Sequence, residues 1–322
     1  PLYGRLAGSD QEKVFRQLPQ EKIVVATNVA ETSVTIPGIR CVVDTGLARL
    51  AMYNPRSRTQ GLPVVPISRA SADQRAGRCG RTGPGVCVRL YAEDDYLGRP
   101  PYTPPEILRS NLAEVILKVL AWRFGDIRTF SFLNPPSPAA VKDGFAVLME
   151  LGAVDRHHRL TELGHLMARF PLDPRISRML IQAEKEGALD DMVILCAALS
   201  IQDPRERPFE HHEQADQVHA RFRDRRSDFL TLLNIWRAYQ RKRTEGASQS
   251  QLRAFCREHY LSFRRMREWS QVADEIRSIL DDLGMTKTAP DEGAPAASYE
   301  AIHRSVACGY LSHVAVKKEK NI

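Results

Sequence analysis

A long helical tract constrains the fold of this chain more than any other feature. Residues 172–285 carry apolar side chains at helical spacing almost throughout, and no segment among them alternates as a half-buried strand does. A chain of 322 residues is too long for one compact domain. The tract therefore predicts a helical domain of its own, beside at least one other domain.

The first hundred residues have a different pattern. Three short β-branched runs are typical of buried strands: KIVVAT at 22–27, RCVVDTG at 40–46 and VCVRLY at 86–91. Residues 49–68 predict an extended hairpin with an Asn-Pro turn. Helical segments lie between the strands, which favours an α/β layer.

The middle of the chain predicts a winged-helix module. Residues 105–124 and 138–151 have helical spacing, and residues 152–164 (GAVDRHHRLTELG) predict two short strands with a turn. Residues 285–300 are polar and rich in Ala and Pro, which is typical of a linker, and the segment after them predicts the first strands of a small β-domain. We therefore expect a multidomain fold, α/β at first and mostly α afterwards.

Composition favours a polyanion as partner. The chain has 46 basic and 39 acidic residues, a net charge of +7. None of the six cysteines forms a C-x-x-C pair, which predicts reduced core cysteines in a cytosolic protein, and we assign no metal site. The first residues show no charged-then-apolar pattern of a signal peptide, and the longest apolar stretch, residues 192–199, is too short to span a bilayer. The sequence therefore predicts a soluble, cytoplasmic chain.

Residues 74–85, QRAGRCGRTGPG, hold three arginines and no acidic residue. If the stretch begins a helix, Gln74, Arg78 and Arg81 share one face, and the glycines between them keep that face open. Guanidinium groups bind phosphate oxygens in pairs and never lose their charge. The pattern predicts a site for a terminal phosphate group, and a solvated basic turn without function is the alternative. For Arg75, on another side of the helix, a structural role stays equally open.

The arginine stretch and a hydroxyl-rich stretch before it together resemble motifs of a known family. TNVAETSVTI at 27–36, followed by QRAGRCGRTGPG, is similar to motifs V and VI of the DEAH-box RNA helicases, in particular their bacterial HrpA-like branch. LYGRLAGSDQEKVF at 2–15 is similar to the stretch after motif IV of that family. RSNLAEVILKVLAW at 109–122 and FPLDPRISRMLI at 170–181 resemble its winged-helix and ratchet domains.

The resemblance covers nearly the whole chain and implies four domains. They are a partial second RecA-like domain at 1–98, a winged-helix domain at 99–170, a helical-bundle ratchet domain at 171–285, and a linker with the start of an OB-like domain at 286–322. In such enzymes two RecA-like domains clamp ATP, and single-stranded RNA runs across both.

The resemblance also implies roles for individual residues at the nucleotide. Gln74, Arg78 and Arg81 would reach the γ-phosphate, with Arg81 as an arginine finger worth roughly 10³–10⁵ in rate. The arginines would then lack acidic partners because their partner is a triphosphate. Phe15 would stack on the adenine, with an ordinary core position as the alternative. Thr35 would lie near the nucleotide, with strand packing or capping as the alternative.

RNA contacts follow from the resemblance in the same way. The implied contacts are to the RNA backbone and come from motif V and from the hairpin that helps to part a duplex: Thr27, Asn28, Thr32, Arg56 and Arg58. Capping or strand packing for the threonines, and a solvated charged hairpin, are the alternatives. Pro37 departs from the acidic residue of many eukaryotic relatives, which puts one ribose contact in doubt.

The helical tract adds positive charge. Basic residues outnumber acidic ones by six within 221–243 and by four within 253–267. Outward-facing arginines there are candidates to line an RNA channel, where contacts would weaken with salt. The aromatic residues interleaved with them fit a helical core better.

Two motifs of the family do not occur in the 322 residues: the phosphate loop G-x-x-x-x-G-K-[ST] and the Asp-Glu-Ala-His run. In the family these hold the triphosphate and Mg²⁺ in the first RecA-like domain. We expect the chain to be the C-terminal part of an ATP-dependent RNA helicase, inactive alone and monomeric, with ATP and Mg²⁺ as cofactors. Its expected partners are single-stranded RNA, an RNA duplex with an overhang, or a ribonucleoprotein. A stand-alone basic RNA-binding or partner-docking module is the alternative.

Overall fold

The computed structural model of the protein describes residues 2–3, 8–16, 19–31, 35–55, 57–285 and 297–315. The chain divides into two compact units. The first comprises Pro1–Leu112 and Ser131–Asp143, and the second comprises Ala113–Phe130 and Gly144–Ile322. The arginine motif lies in the first unit and the helical tract in the second.

The described part of the first unit contains strands and short helices. The strands are β1 (Cys41–Asp44), β2 (Leu47–Arg49), β3 (Met52–Asn54), β4 (Thr59–Gly61), β5 (Val64–Pro66) and β6 (Val86–Arg89). The helices are α1 (Gly8–Phe15), α2 (Arg69–Ala76) and α3 (Glu93–Gly98).

Strands form in this unit at three of the predicted places, which are residues 40–46, 86–91 and the hairpin at 49–68. β1 and β6 pair in parallel, and α2, which lies between them in the chain, packs on β1. β2 pairs antiparallel with β5, and β3 with β4. The predicted strands at 40–46 and 86–91 and the extended hairpin at 49–68 therefore form. The predicted burial is wrong in part, because Val43 and Val86 are 62% and 63% exposed.

The predicted buried strand at 22–27 is wrong. Ala26 forms an isolated parallel bridge with Leu2, while Ile23 and Val25 are 91% and 70% exposed. A β-branched run becomes a buried strand only where neighbouring strands and a covering layer are present, because its preference reflects packing rather than the backbone alone. Within the described residues, no covering layer buries this run.

The second unit is helical in its described residues. The helices that follow α3 in the chain are α4 (Ala113–Ala121), α5 (Pro138–Glu150), α6 (Glu162–Met167), α7 (Pro174–Glu186), α8 (Leu189–Ser200), α9 (His212–His219), α10 (Asp228–Thr244), α11 (Gln249–Glu258), α12 (Phe263–Asp282) and α13 (Tyr299–Gly309). Residues 138–143 of α5 belong to the first unit. The predicted helical tract at 172–285 is confirmed. The predicted strand pair at 152–164 is reduced to one antiparallel bridge, Val154 to Leu160.

The core of this unit forms around Trp269, which is fully buried. Its indole Nε1 donates to the Ile194 carbonyl at 2.8 Å, and its ring lies 5.0 Å from that of Trp236. These contacts join α12 to α8 and α10. Trp236 and Tyr239 are buried, as the core interpretation of the interleaved aromatic residues predicts.

The end of the chain differs from its prediction. Residues 299–309 form α13, which packs on α7. Ser298 caps it by accepting the Ala301 N–H at 3.1 Å, and Ile302 is fully buried in the apolar stripe of the helix. The first β-strands predicted here are wrong over the described residues, because residues 299–309 have a helical period. Residues 286–296 and 316–322 lie outside the described part, so the linker and the OB-like domain stay predictions.

Candidate functional site

The arginine motif lies at the C-terminal end of α2 and beyond it. Ser68 caps α2 by accepting a first-turn N–H at 3.2 Å, and the helix stops at Gly77. The prediction that Gln74, Arg78 and Arg81 share one helix face is wrong, because both arginines follow in a turn. Glycine costs about 1 kcal/mol relative to alanine within a helix, so a glycine-rich stretch favours this stop.

The turn places two arginines against the hydroxyl-rich segment, residues 27–36. Arg78 donates to the backbone carbonyl of Glu31, and Arg81 donates to the hydroxyl of Thr35. Burial and the charge of Arg81 lower the pKa of Arg78, and the charge of Glu31 acts in the opposite direction. Both guanidinium groups donate to the same segment, so an anion bound beside it could accept hydrogen bonds from each.

Arg75 has acidic partners from outside the stretch. Its Nε lies 3.0 Å from Glu31 Oε2, and its Nη1 lies 2.8 Å from Asp44 Oδ1. The expectation that the three arginines lack acidic partners is therefore wrong for Arg75, and the structural role is the one supported. Its ion pairs fasten the segment around Glu31 to the end of β1.

Asp44 is the centre of this network and is 2% exposed. Its carboxylate accepts the Gly46 N–H at 3.0 Å and the Tyr91 hydroxyl at 2.8 Å, besides Arg75. Burial alone raises the pKa of Asp44, but the hydrogen bonds from Gly46, Arg75 and Tyr91 outweigh it and lower that pKa below its ordinary value. Burial and the bond to Asp44 raise the pKa of Tyr91 to about 12. Sequence reasoning missed Asp44 and Glu31, although an acidic residue at the end of a buried strand was an available signal.

The two other residues predicted to touch the nucleotide are Phe15 and Gln74. Phe15 ends α1 and is 41% exposed, so the ordinary core alternative is not supported. Gln74 is exposed on the last turn of α2. Within the described ranges, no hydrogen bond or ion pair joins either side chain to Arg78 or Arg81.

The predicted RNA contacts are in part exposed. Thr27 caps the short helical turn Asn28–Ala30 by accepting one of its N–H groups at 3.5 Å, so the capping alternative applies to it. Asn28 is exposed. Arg58 lies at the tip of the β3–β4 hairpin with φ 53°, and its Nε is 3.9 Å from Asp143. Two of the predicted RNA contacts lie outside the described residues: Thr32 and Arg56.

The backbone of the arginine loop, residues 77–85, packs closely at Gly85, and a substitution there tests this packing. A Cβ added at Gly85 would lie 2.2 Å from the Cys79 carbonyl oxygen, whereas one at Gly83 would meet nothing within 4 Å. We expect Gly85→Ala to destabilise the chain by about 1–3 kcal/mol, measured from the midpoint of urea unfolding. Gly83→Ala is the matched control and is expected to stay within about 0.5 kcal/mol. Equal midpoints for the two variants would contradict this packing.

The described residues contain neither a metal-binding cluster nor a membrane-spanning helix. No group of three or more His, Cys, Asp or Glu side chains there is arranged to hold a metal ion. None of the described helices has the length and apolar character needed to span a bilayer.

Comparisons with known proteins match the same regions of the chain. The "Helicase conserved C-terminal domain" matches residues 1–83. The winged-helix part of the "Helicase associated domain (HA2)" matches residues 147–172, and its ratchet-like part matches residues 173–232. The first match includes the hydroxyl-rich segment and the arginines at 75, 78 and 81.

Individual relatives are similar along almost the whole chain. The ATP-dependent RNA helicase HrpA of Escherichia coli is 45% identical over 98% of this chain, and its homolog from Haemophilus influenzae is 42% identical over 99%. The probable ATP-dependent RNA helicase DHX34 of Mus musculus is 38% identical over 94%. The chain spans 24%, 24% and 26% of the lengths of these relatives.

Proposed function

Because this chain belongs to the DEAH-box RNA helicase family, in its HrpA-like branch, we propose that it supplies one wall of the ATP site in an ATP-dependent RNA helicase. One observation carries the proposal. Arg78 and Arg81 both donate to the hydroxyl-rich segment, so two permanent positive charges lie along it and favour an anion. The γ-phosphate of ATP is the anion we propose.

The two arginines have different tasks in this proposal. Arg78 is half-buried and anchored on the Glu31 carbonyl, so it binds the phosphate from a fixed position. Arg81 is exposed and donates to a neutral hydroxyl, which it can exchange for a phosphate oxygen. Its charge then offsets the negative charge that develops as the terminal phosphoryl group transfers. Gln74 would donate its amide to a further γ-phosphate oxygen.

The hydroxyl-rich segment would couple the nucleotide to RNA. Thr27 and Asn28 lie exposed at one end of it, where they would contact the RNA backbone. Glu31 and Thr35, farther along, contact Arg78 and Arg81. A shift of this segment on RNA binding would therefore move the groups that hold the arginines. RNA binding at one end of the segment would in this way change the rate of ATP hydrolysis at the other.

The rest of the ATP site would come from residues that these 322 do not include. The chain has no phosphate loop and no Asp-Glu-Ala-His run. Mg²⁺, when bound, neutralises charge between the β- and γ-phosphates, and we assign none of its ligands to the described residues. We propose that hydrolysis, translocation and unwinding require a first RecA-like domain joined to this chain.

Strand displacement tests the proposal. The substrate is an RNA duplex with a single-stranded overhang, and the samples are this chain alone and the chain joined to a first RecA-like domain. We expect ATP-dependent strand separation by the joined protein and none by the chain alone. If the joined protein binds RNA but separates no strands with ATP, the stand-alone binding module becomes the better account.

A further inference from the structure

Three aromatic side chains form an exposed patch in the second unit. The aromatic patch consists of Trp122, Phe124 and Phe130, whose exposed fractions are 59%, 58% and 38%. The ring centres of Trp122 and Phe124 are 5.7 Å apart, with the rings edge to face. Those of Phe124 and Phe130 are 6.4 Å apart. The three rings therefore form one continuous apolar surface, which marks an interaction site more strongly than scattered exposed residues do.

The C-terminal end of α4 fixes the first two rings. The Phe124 N–H donates to the Val119 carbonyl at 3.0 Å, and the Arg123 N–H donates to the Leu120 carbonyl at 3.2 Å. Arg123 has φ 57°, so the helix ends in a Schellman motif with a left-handed residue after its C-cap. Trp122 and Phe124 lie on either side of that residue and are therefore held by an ordered backbone.

A second turn holds the segment that leads to Phe130. The Asp126 carboxylate accepts the Arg128 N–H at 2.9 Å, and the Asp126 carbonyl accepts the Thr129 N–H at 3.0 Å. Ile127, within this turn, is 3% exposed and anchors it in the core. A surface with an ordered backbone loses little conformational freedom when it binds, which favours affinity.

The size of the aromatic patch limits what can cover it. From the usual area of aromatic side chains and the exposed fractions of these three, the patch measures about 300 Å². A stable complex with a separate partner or a second copy buries about 800 Å² on each side. The patch is well below that area. A domain of the same polypeptide needs less, because the covalent link gives it a high effective concentration.

The domain that the proposed function requires is the best candidate to cover the patch. The chain spans 24% of the length of the two HrpA relatives, so most of each of those proteins lies outside the matched segment. Phe130 is the last residue of the second unit before the chain returns, at Ser131, to the unit that carries the arginine motif. We infer that the aromatic patch is a docking surface for the first RecA-like domain.

The docking inference rests on the proposed function, because that function brings a first RecA-like domain against this chain at the ATP site. The same domain would then have a second contact, at the aromatic patch. Residues that follow Ile322 carry no such requirement, which makes them the weaker candidate. The second contact would tie the first domain to the unit that contains the helical tract.

Fluorescence quenching by acrylamide tests the docking, because Trp122 differs from the other two tryptophans of the chain. Trp236 and Trp269 are 8% and 0% exposed, so the quencher reaches Trp122 first. We expect the quenching of Trp122 to be lost when the chain is joined to a first RecA-like domain, without ATP or RNA. The difference between wild type and Trp122→Phe isolates the Trp122 signal from tryptophans of the added domain. Equal quenching of Trp122 in the joined protein and in the chain alone would overturn the inference.

Phe124→Ser tests whether the patch itself makes the contact. In the joined protein this variant is expected to restore the quenching of Trp122, because it removes the central ring of the patch. Leu311→Ser is the matched control: it removes another apolar side chain of the same unit that is 57% exposed, and Trp122 should stay protected. Trp122 protected equally in both variants would contradict a contact through the patch. Urea unfolding midpoints of the chain alone, expected to stay unchanged in both variants, exclude a loss of fold.

Two other results would assign the patch to another occupant and overturn the inference. Protection of Trp122 that rises with the concentration of the chain alone would indicate a second copy. Protection gained only when residues after Ile322 are attached would indicate that segment. Failure of the docking and failure of the proposed function remain separate results. ATP hydrolysis with Trp122 open to the quencher refutes the docking alone, whereas protected Trp122 without hydrolysis refutes the ATP-site proposal alone.

Discussion

Replacing Arg81 with alanine is expected to lower RNA-stimulated ATP turnover by a hundredfold or more in the chain joined to a first RecA-like domain. An arginine finger is worth roughly 10³–10⁵ in rate, because it meets charge that appears only in the transition state. Arg81 is exposed and bonded to a neutral hydroxyl, so its removal leaves no buried charge behind. Single-turnover hydrolysis, with RNA affinity recorded on the same samples, checks the prediction.

Two variants serve as controls for Arg81→Ala. Arg81→Lys keeps a charge but loses the planar fork, so an intermediate rate is expected. Arg40→Ala removes another exposed arginine of the same unit and is expected to leave turnover unchanged. Full turnover in Arg81→Ala, together with a large loss in Arg78→Ala, would move the catalytic role to Arg78. Full turnover in both would refute the phosphate site.

Replacing Asp44 with asparagine is expected to destabilise the chain by about 3–5 kcal/mol. Asp44 is 2% exposed and accepts hydrogen bonds from Gly46, Arg75 and Tyr91. Asparagine has nearly the same size but no charge, so it leaves the Arg75 guanidinium with one ionic partner fewer in a partly buried position. Urea unfolding at neutral pH measures the difference.

The Asp44→Asn prediction carries a pH signature. The folded pKa of Asp44 lies below its ordinary value of 3.8. Its stabilising contribution is therefore fully present above that ordinary value and is lost as the pH falls through the lowered folded pKa. The stability difference between wild type and variant should shrink over the same range.

Asp73→Asn is the matched control for Asp44→Asn. The Asp73 side chain is 58% exposed and pairs with Arg89 at 2.8 Å, and such surface pairs are worth about 0–1 kcal/mol. If the Asp44 and Asp73 variants lose the same stability, the buried network around Asp44 does not hold the first unit together.

The sequence pattern predicted strands correctly where a β-branched run also has a pairing partner in the fold. The β-branched runs around Val42 and Val88 form β1 and β6, because each supplies the pairing partner of the other. The run at 22–27 is also β-branched, yet among the described residues it makes only one isolated bridge, from Ala26 to Leu2, and Ile23 is 91% exposed. α13 was missed because the segment after residue 300 was assigned to β-strands, although residues 299–309 carry a helical stripe.

The candidate site could be located from the sequence, but its internal contacts could not. The arginine motif was found, while its helical geometry was wrong because the chain leaves the helix at Gly77. The partners of Arg75 lie 44 and 31 positions away in the chain, and only the folded structure brings them together.

ATP hydrolysis as a function of single-stranded RNA concentration tests the central claim most directly. The samples are this chain, a first RecA-like domain, and the two joined. We predict hydrolysis by the joined protein, increased by RNA, and none by this chain alone. Hydrolysis by the joined protein equal to that of the first domain by itself would contradict the claim that this chain supplies one wall of the ATP site.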